Sequence, residues 1–555
     1  MGRQGTMTNI DTAPTKIFAI VPAAGVSTNG IMQNSSLPDA MLPINGKPVI
    51  GYIVEDLLER GIFDLAVILS KADTHTEKYL LRKFQNKTNI KIIYNDKPEK
   101  GVGYSVNLGV EASYSANSYL VYLGDTICKD VMNFEGNFFV VSSQYDDSNK
   151  WCFIEVSDQD RYTLIDKPAI YSGKGSVLSG IYFFKSGEDL RDVCKVLEKS
   201  TPRIEMKHII EIYVEKERIT LVTAKRWYDC GNIENYYKAK IYFLRVRNFN
   251  TIVYDDFYGT INKTSSNTKK IIDEINWFLN IPDEIKIFSP RLVHHHISSS
   301  DANYSLEYYG YQSLADYYLF GSIDIRIWKI IIADLFRIIK LFSSYRVDIP
   351  IEDYREVYIG KTKRRLAQLK EYDSWKEVLA LPTISINGET YKNITSLLPE
   401  IESKLNMLYN KEESGVIHGD LCLSNILFDP GSRIFKLIDP RGSFGKTSVY
   451  GDIKYDVAKL RHSFTSFYDF IVSDLFRLEE KELGVYTLDV FTDQINVEVA
   501  KYFDTQLEGA GFSIQKIKLI EALLFLSMIP LHAEEKNRQK AMFAIGIKLI
   551  NNALV

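Results

Sequence analysis

What the chain lacks narrows its class before any motif is read. Its five cysteines (Cys128, Cys152, Cys194, Cys230, Cys422) are scattered, odd in number and nowhere in CxxC spacing. That argues against a disulfide framework or a cysteine zinc site and for reduced thiols in a cytoplasm. No apolar run reaches the ~18 residues of a membrane span; the longest, Ala522 to Leu531, reads as a buried helix stopped near Pro530. An excess of positive charge is missing too. A formal net charge of -4 gives no basic face to argue from, so neither nucleic acid nor membrane insertion is expected. Residues 1–15 carry no apolar core of signal-peptide length and are expected as a disordered tail. What is present is ordinary: 45% hydrophobic and 25% charged residues over 555 positions, enough for two to four globular domains. Small molecules are the expected partners, and a homo-oligomer stays open.

The most informative stretch runs from Gly415 to Phe444, GVIHGDLCLSNILFDPGSRIFKLIDPRGSF. It places His418, Asp420 and Asn425 on a short loop, continues through an apolar run, turns at Asp429-Pro-Gly-Ser, and delivers Asp439 at the end of a second apolar run. An Asp, an Asn five residues on and a second Asp at a strand end supply a carboxylate for a hydroxyl and two oxygen ligands for Mg²⁺. Protein kinases use that layout. HGDLCLSN with IDPRG resembles the aminoglycoside phosphotransferase and choline kinase family. The resemblance implies a bilobal kinase-like α+β domain, Asp420 as catalytic base, Asn425 and Asp439 as Mg²⁺ ligands, and ATP as donor. Within Gly451-Asp452-Ile-Lys-Tyr-Asp456, Asp456 would brace the catalytic loop together with His418. Kinase-like folds also need a strand Lys held by a helix Glu, and Lys263 and Glu274 have the right order for it. Leu306 to Asp316 looks like the hinge where an adenine is read, with Tyr308 and Tyr309 either there or in the core. Arg441 meets either an anionic substrate or a nearby acid. His294, His295 and His296 are consecutive on a strand and alternate faces, so a structural role is expected.

The first half alternates strands and helices: Lys16 to Pro22, Pro48 to Arg60, Leu65 to Leu69, Asp73 to Phe84, Ile90 to Tyr94, Gly103 to Ser115, Tyr119 to Leu123. Such alternation predicts a mainly parallel, doubly wound sheet with ligands beyond the strands' carboxyl ends. VPAAG, LPINGKPVI, KGVGYSVNLG, YLGDTI, IDKP, LSGIYFF and WYDCGNIENYYKAK, in that order, resemble the sugar-nucleotide pyrophosphorylase (nucleotidyltransferase) family over about residues 16–245. The resemblance implies nucleotide binding at Ala23, Ala24, Gly25, Gly101 and Gly103, substrate binding at Gly180, a Mg²⁺ pair at Asp125 and Asp229, and a catalytic phosphate clamp at Lys167. The nucleotide would be CTP, UTP, GTP or dTTP. Two departures stand out. The signature loop ends in Asn29 where the family has Arg, and Asp39 follows Pro38 where the family has Lys. Either Lys47, Lys97 or Lys100 stands in, or this half binds without turnover.

The expected organisation is an α/β chain with a nucleotidyltransferase-like domain over 16–247 and a small-molecule kinase domain over 248–555, its N-lobe about 248–312 and its helical C-lobe about 313–555. The expected activity is phosphorylation of a sugar, polyol or amino alcohol with Mg-ATP, then coupling of the phosphomonoester to a nucleotide. By fold-level analogy the product would supply surface polysaccharide. The alternative is an active kinase beside a non-catalytic nucleotide-binding module.

Overall fold

A computed structural model describes residues 16–25, 37–145, 147–159, 161–244, 250–298 and 300–554. The disordered tail expected over 1–15, and Asn29, lie outside them. The chain folds as two units, divided after Ala239. Lys240 shows why the division falls there. Its buried ammonium donates to the carbonyls of Gly310 (3.0 Å) and Tyr311 (3.2 Å) and to Gln312 Oε1 (3.2 Å), so from this point the chain is tied to the second unit. The boundary expected at residue 247 lies outside the described residues.

The first unit is built on nine strands. Ile17–Pro22, almost wholly buried, is the central strand, parallel to Asp64–Ser70 on one side and Ser118–Tyr122 on the other; Asn89–Asn95 extends the parallel set. Each crossover is a helix of the predicted amphipathic kind: Val49–Glu59, Thr74–Phe84 capped by Asp73, and Val102–Glu111. The sheet is mixed, which corrects the mainly parallel expectation. Ser176–Phe184 runs antiparallel to Ser118–Tyr122, Phe138–Ser142 and Cys152–Val156, and Tyr162–Asp166 runs antiparallel to Cys152–Val156. Among the described residues no α-helix lies between Tyr122 and Ser176, and short connections can join only antiparallel neighbours; helices Gly187–Ser200 and Met206–Lys216 then carry the chain to Thr220–Thr223, parallel to Phe138–Ser142.

The second unit opens with an antiparallel sheet in the order Asn250–Asp255, Thr260–Ser265, Ala302–Glu307, Leu292–Ile297. Helix Thr268–Asn280, capped by Asn267, follows the second strand. Leu314–Phe320 then leads into helix Ile325–Phe342, whose apolar stripe is buried. Helices Ile394–Leu408, Ile453–Phe464, Gln494–Gly509, Ile514–Met528 and Lys536–Leu554 make up much of the rest. The stretch from Phe464 onward, expected to be helical throughout, also contains the hairpin Phe476–Glu482/Val485–Val490, joined to Thr383–Ile386 and Glu389–Lys392. Acidic Glu479 to Glu482 obscures the period-two burial there, and Gly484 (φ +76°) makes the turn.

Candidate functional site

Two sites form, one in each unit. In the first, the carboxyl ends of the parallel strands open into a cavity of about 390 Å³ lined by Ala23, Ala24, Gly25, Asp39, Gly101, Val102 and Asp125, among others. Ala23 N–H donates to Ile68 and Gly124 N–H to Pro22, which fixes the two strand ends side by side. Gly101 (φ +87°) and Gly103 let the helix that follows approach residue 204; a Cβ on Gly101 would lie 2.5 Å from the Ile204 carbonyl, and one on Gly103 2.6 Å from that isoleucine's Cγ2. Gly103 therefore packs the helix, while Gly101 also lines the cavity. Asn95 and Ser105, joined at 2.9 Å, bring polar groups to the same wall. Sequence reading missed both, although Asn95 ends a parallel strand, where ligand contacts are expected.

Asp125 meets Asp229 because Thr126–Cys128 pairs antiparallel with Trp227–Asp229. Cys230 N–H donates to the Asp125 carbonyl at 2.7 Å, and the two carboxylates flank Gly231, whose Cβ would fall 3.0 Å from Asp125 Oδ2 and 3.2 Å from Asp229 Oδ1. Burial, and then the negative charge of Asp39, raise the Asp125 pKa. Such a hard-oxygen pair with surplus negative charge fits Mg²⁺, which takes one or two carboxylates and fills its remaining positions with phosphate oxygens and water. Among the described residues no three His, Cys, Asp or Glu side chains gather as a preformed metal site. Gly180 (φ +89°) packs on Leu123 and Thr126, either side of Asp125, at a bulge in its strand. Lys167, at φ +50°, is exposed and is not among the residues lining the cavity. Among the described residues, none that lines the cavity is Lys or Arg, and the chain has neither between Ala23 and Gly46. Lys47 pairs with Glu55, and Lys100 lies over the Tyr104 ring.

In the second unit the loop from His418 to Asn425 is held by its backbone. Buried Asp456 accepts from His418 N–H (2.6 Å) and Gly419 N–H (2.8 Å), while burial pushes its pKa up to about 7. His418 is wholly buried against Trp277, and burial lowers its pKa to about 4, so the ring is neutral. Asp420 accepts from Asn425 Nδ2 at 3.1 Å and from Lys459 Nζ at 2.8 Å. Burial works against the Asp420 carboxylate, but Lys459 outweighs it and the pKa falls below the usual value. Lys459 was not foreseen; the signal was its place three residues after Asp456 on one helix, hence on the same face.

The hairpin Ile426–Asp429/Ile434–Leu437 brings Asn425 and Asp439 to its open end, where Ile438 N–H donates to the Asn425 carbonyl at 3.0 Å. With its amide nitrogen turned to Asp420, Asn425 keeps Oδ1 for another partner, and Asp439 adds a carboxylate; this donor set also fits Mg²⁺. Lys263 bridges Glu274 (2.8 Å) and Asp439 (2.9 Å). Burial lowers the lysine's pKa, but the two carboxylates outweigh it and leave it raised. Asp439 sits at φ +56°, a backbone conformation that costs a non-glycine residue ~1–3 kcal/mol and clusters at functional sites. Gly442 (φ +77°) lies against the helix that carries Glu274; a Cβ there would be 2.0 Å from the Asp273 carbonyl.

Tyr308 stacks edge-on against Tyr254, and Tyr309 donates to Glu307 at 3.0 Å beneath the Lys436 ammonium. Of the two partners expected for Arg441, the nearby acid is not found as an ion pair among the described residues; its Nη1 donates to the Tyr455 hydroxyl at 2.9 Å. The three consecutive histidines lie exposed on the strand Leu292–Ile297.

A family model described as nucleotidyl transferase matches residues 34–245. The choline-phosphate cytidylyltransferase of Streptococcus pneumoniae is 28% identical over 173 residues, 30% of this chain and 69% of that protein. A UTP–glucose-1-phosphate uridylyltransferase of Staphylococcus epidermidis is 31% identical over 130 residues, and the chain spans 44% of its length; for the Bacillus subtilis uridylyltransferase the values are 32%, 108 residues and 37%. Among solved structures, the inositol-1-phosphate CTP transferase of T. maritima covers 40% of this chain and 94% of its own, at 16% identity and a TM-score of 0.34. A UTP-bound UGPase from Acinetobacter baumannii covers 41% and 94%, at 16% and 0.35.

Proposed function

Starting from a nucleotidyltransferase-family domain in the N-terminal half, we propose that the chain is a bifunctional enzyme that makes a phosphomonoester and then activates it. In the second unit, Asp420 accepts the proton of an acceptor hydroxyl as its oxygen forms a bond to the γ-phosphorus of ATP; the bridging P–O bond breaks and ADP leaves. Asn425 and Asp439 hold Mg²⁺, which screens the phosphate charge. Lys263, oriented by Glu274, holds the α- and β-phosphates. In the first unit, a phosphomonoester oxygen attacks the α-phosphorus of a nucleoside triphosphate and pyrophosphate leaves. Asp125 and Asp229 hold the metal there. CTP and UTP are the leading nucleotides, since the curated relatives are a cytidylyltransferase and uridylyltransferases. Supply of surface polysaccharide remains part of the proposal by analogy alone.

The observation that carries the kinase half is the Lys263 bridge between Glu274 and Asp439, beside an Asp420–Asn425 hydrogen bond. A pyrophosphate-release assay across CTP, UTP, GTP and dTTP, with candidate phosphomonoesters, tests the first half; ADP release tests the second. One observation favours a second reading: the nucleotide cavity has no Lys or Arg among its described lining residues. Nucleotide binding without pyrophosphate release would make the N-terminal half a binding module.

A further inference from the structure

Next to Asp420 in the chain, Gly419 packs against Arg441, and Arg441 lines a cleft of about 730 Å³ in the second unit, within the ~300–1,000 Å³ typical of small-molecule sites. Six cationic side chains line it (Lys269, Lys361, Arg364, Arg365, Arg441, Lys446), against three acids. The acids do not neutralise them. Glu356 pairs with Arg364, Asp353 is buried against Gly445, and Glu352 is exposed to solvent. Among the described residues no carboxylate lies within 4 Å of Lys361, Arg365, Arg441 or Lys446, while other lysines and arginines of the unit have such partners. Lys361 and Arg441 instead converge on one hydroxyl, that of buried Tyr455, at 3.1 and 2.9 Å.

The arrangement is built into the fold. The segment Ile351 to Leu369 contains a π-helical turn at Glu356–Gly360, directly before Lys361. Such insertions are uncommon and concentrate at functional sites. On the other wall, Arg441 is two residues from Asp439, and its N–H donates to the His418 carbonyl at 2.8 Å. Half-buried cations without counter-charges are costly unless a ligand supplies them. Crowding shows at Arg365, whose pKa is lowered by burial and then by Arg364 and Arg441.

We propose that this cleft is the acceptor pocket of the kinase site and that its substrate is a hydroxylated metabolite already bearing an anionic group, a phosphate or a carboxylate. The inference rests on the kinase reading above. An amine-bearing acceptor would meet repulsion from at least four cations. An anion beside its hydroxyl would be clamped by Lys361, Arg365 and Arg441, with the hydroxyl toward Asp420.

The test uses the full chain saturated with Mg-ADP and titrated with inorganic phosphate, in wild type, in Arg365→Gln and in Lys361→Gln/Arg365→Gln. Phosphate affinity should fall at least tenfold in the double variant and severalfold in the single one, with Mg-ADP affinity within twofold of wild type. Phosphate binding that both variants leave unchanged, or its absence in wild type, overturns the anionic pocket. Titration with glycerate separates a carboxylate-bearing from a phosphate-bearing acceptor. A parallel arm follows ADP release with glycerol, ethanolamine, glycerate and glycerol 3-phosphate; turnover of ethanolamine or glycerol above the two anions also overturns it. The kinase reading fails separately, if Mg-ADP does not bind or binds Asp439→Ala as tightly as wild type.

Discussion

The two sites have opposite electrostatics. The cavity of the first unit presents Asp39 and Asp125, with Asp229 alongside, and no cation among its described lining residues. The cleft of the second unit presents six cations, and among the described residues Lys361, Arg365, Arg441 and Lys446 have no carboxylate within 4 Å. A site lined by carboxylates attracts a triphosphate only through a divalent ion, whereas a site lined by lysine and arginine attracts anions directly. Metal dependence should therefore divide the molecule, with nucleotide binding in the first unit strongly dependent on the metal and anion binding in the cleft independent of it.

The largest effect that would break this picture is at Asp420. Replacing it with Ala should lower ADP release by ~10³-fold, within the range for general bases, with Mg-ADP affinity little changed. Retained turnover would remove Asp420 as the proton acceptor and with it the reason to place an acceptor beside it. Next comes chelation. EDTA should weaken CTP or UTP binding to the first unit by ~100-fold while phosphate binding in the cleft stays within twofold, both read by calorimetry. An equal loss at both sites would erase the contrast.

Lys263→Met probes the buried ion pairs. Removing the ammonium takes from buried Glu274 its nearest counter-charge, with Lys270 3.6 Å away still beside it, and should cost ~3 kcal/mol of the second unit's stability, read from urea unfolding. A smaller effect concerns pH. Burial lowers Lys361 to about 8, and Lys361 and Arg441 bring Tyr455 to about 8 despite its burial. Lysine loses positive charge and tyrosine gains negative charge as pH rises through that value. Affinity for an anion in the cleft should then fall severalfold between pH 7 and pH 9, and a flat profile would show that neither group faces the ligand. The smallest effect is at the acid side. His418, held near 4 against an ordinary value of 6.5, favours the folded state fully above pH 6.5; that contribution is lost as pH falls toward 4, and the unfolding midpoint should drop with it.

Much of this was legible in the residues, and the parts that were not have identifiable causes. The Asn267 cap, the Lys263–Glu274 pairing and the strand-end Asp125 are local signals, each fixed by a few neighbouring positions. The antiparallel half of the first sheet was not legible, because its inner strands are buried on both faces and carry no directional pattern. Lys459, Lys361 and Tyr455 lie on two helices far apart in sequence and meet only through tertiary packing. The hairpin at Phe476–Val490 was hidden by its own acidic run. Asp39 was readable as a departure, but its proximity to Asp125 required coordinates.

Gly442 carries a consequence for how the second unit responds to its ligands. With no side chain, it lets the segment bearing Arg441 rest directly on the peptide backbone of Asp273 and Glu274. A displacement of that segment by an occupant of the cleft has no soft layer to be absorbed in; it is passed to the helix, and so to the glutamate that steadies Lys263. Filling one pocket would then be felt in the other as a mechanical push, and even an alanine at this position would hold the two permanently out of register.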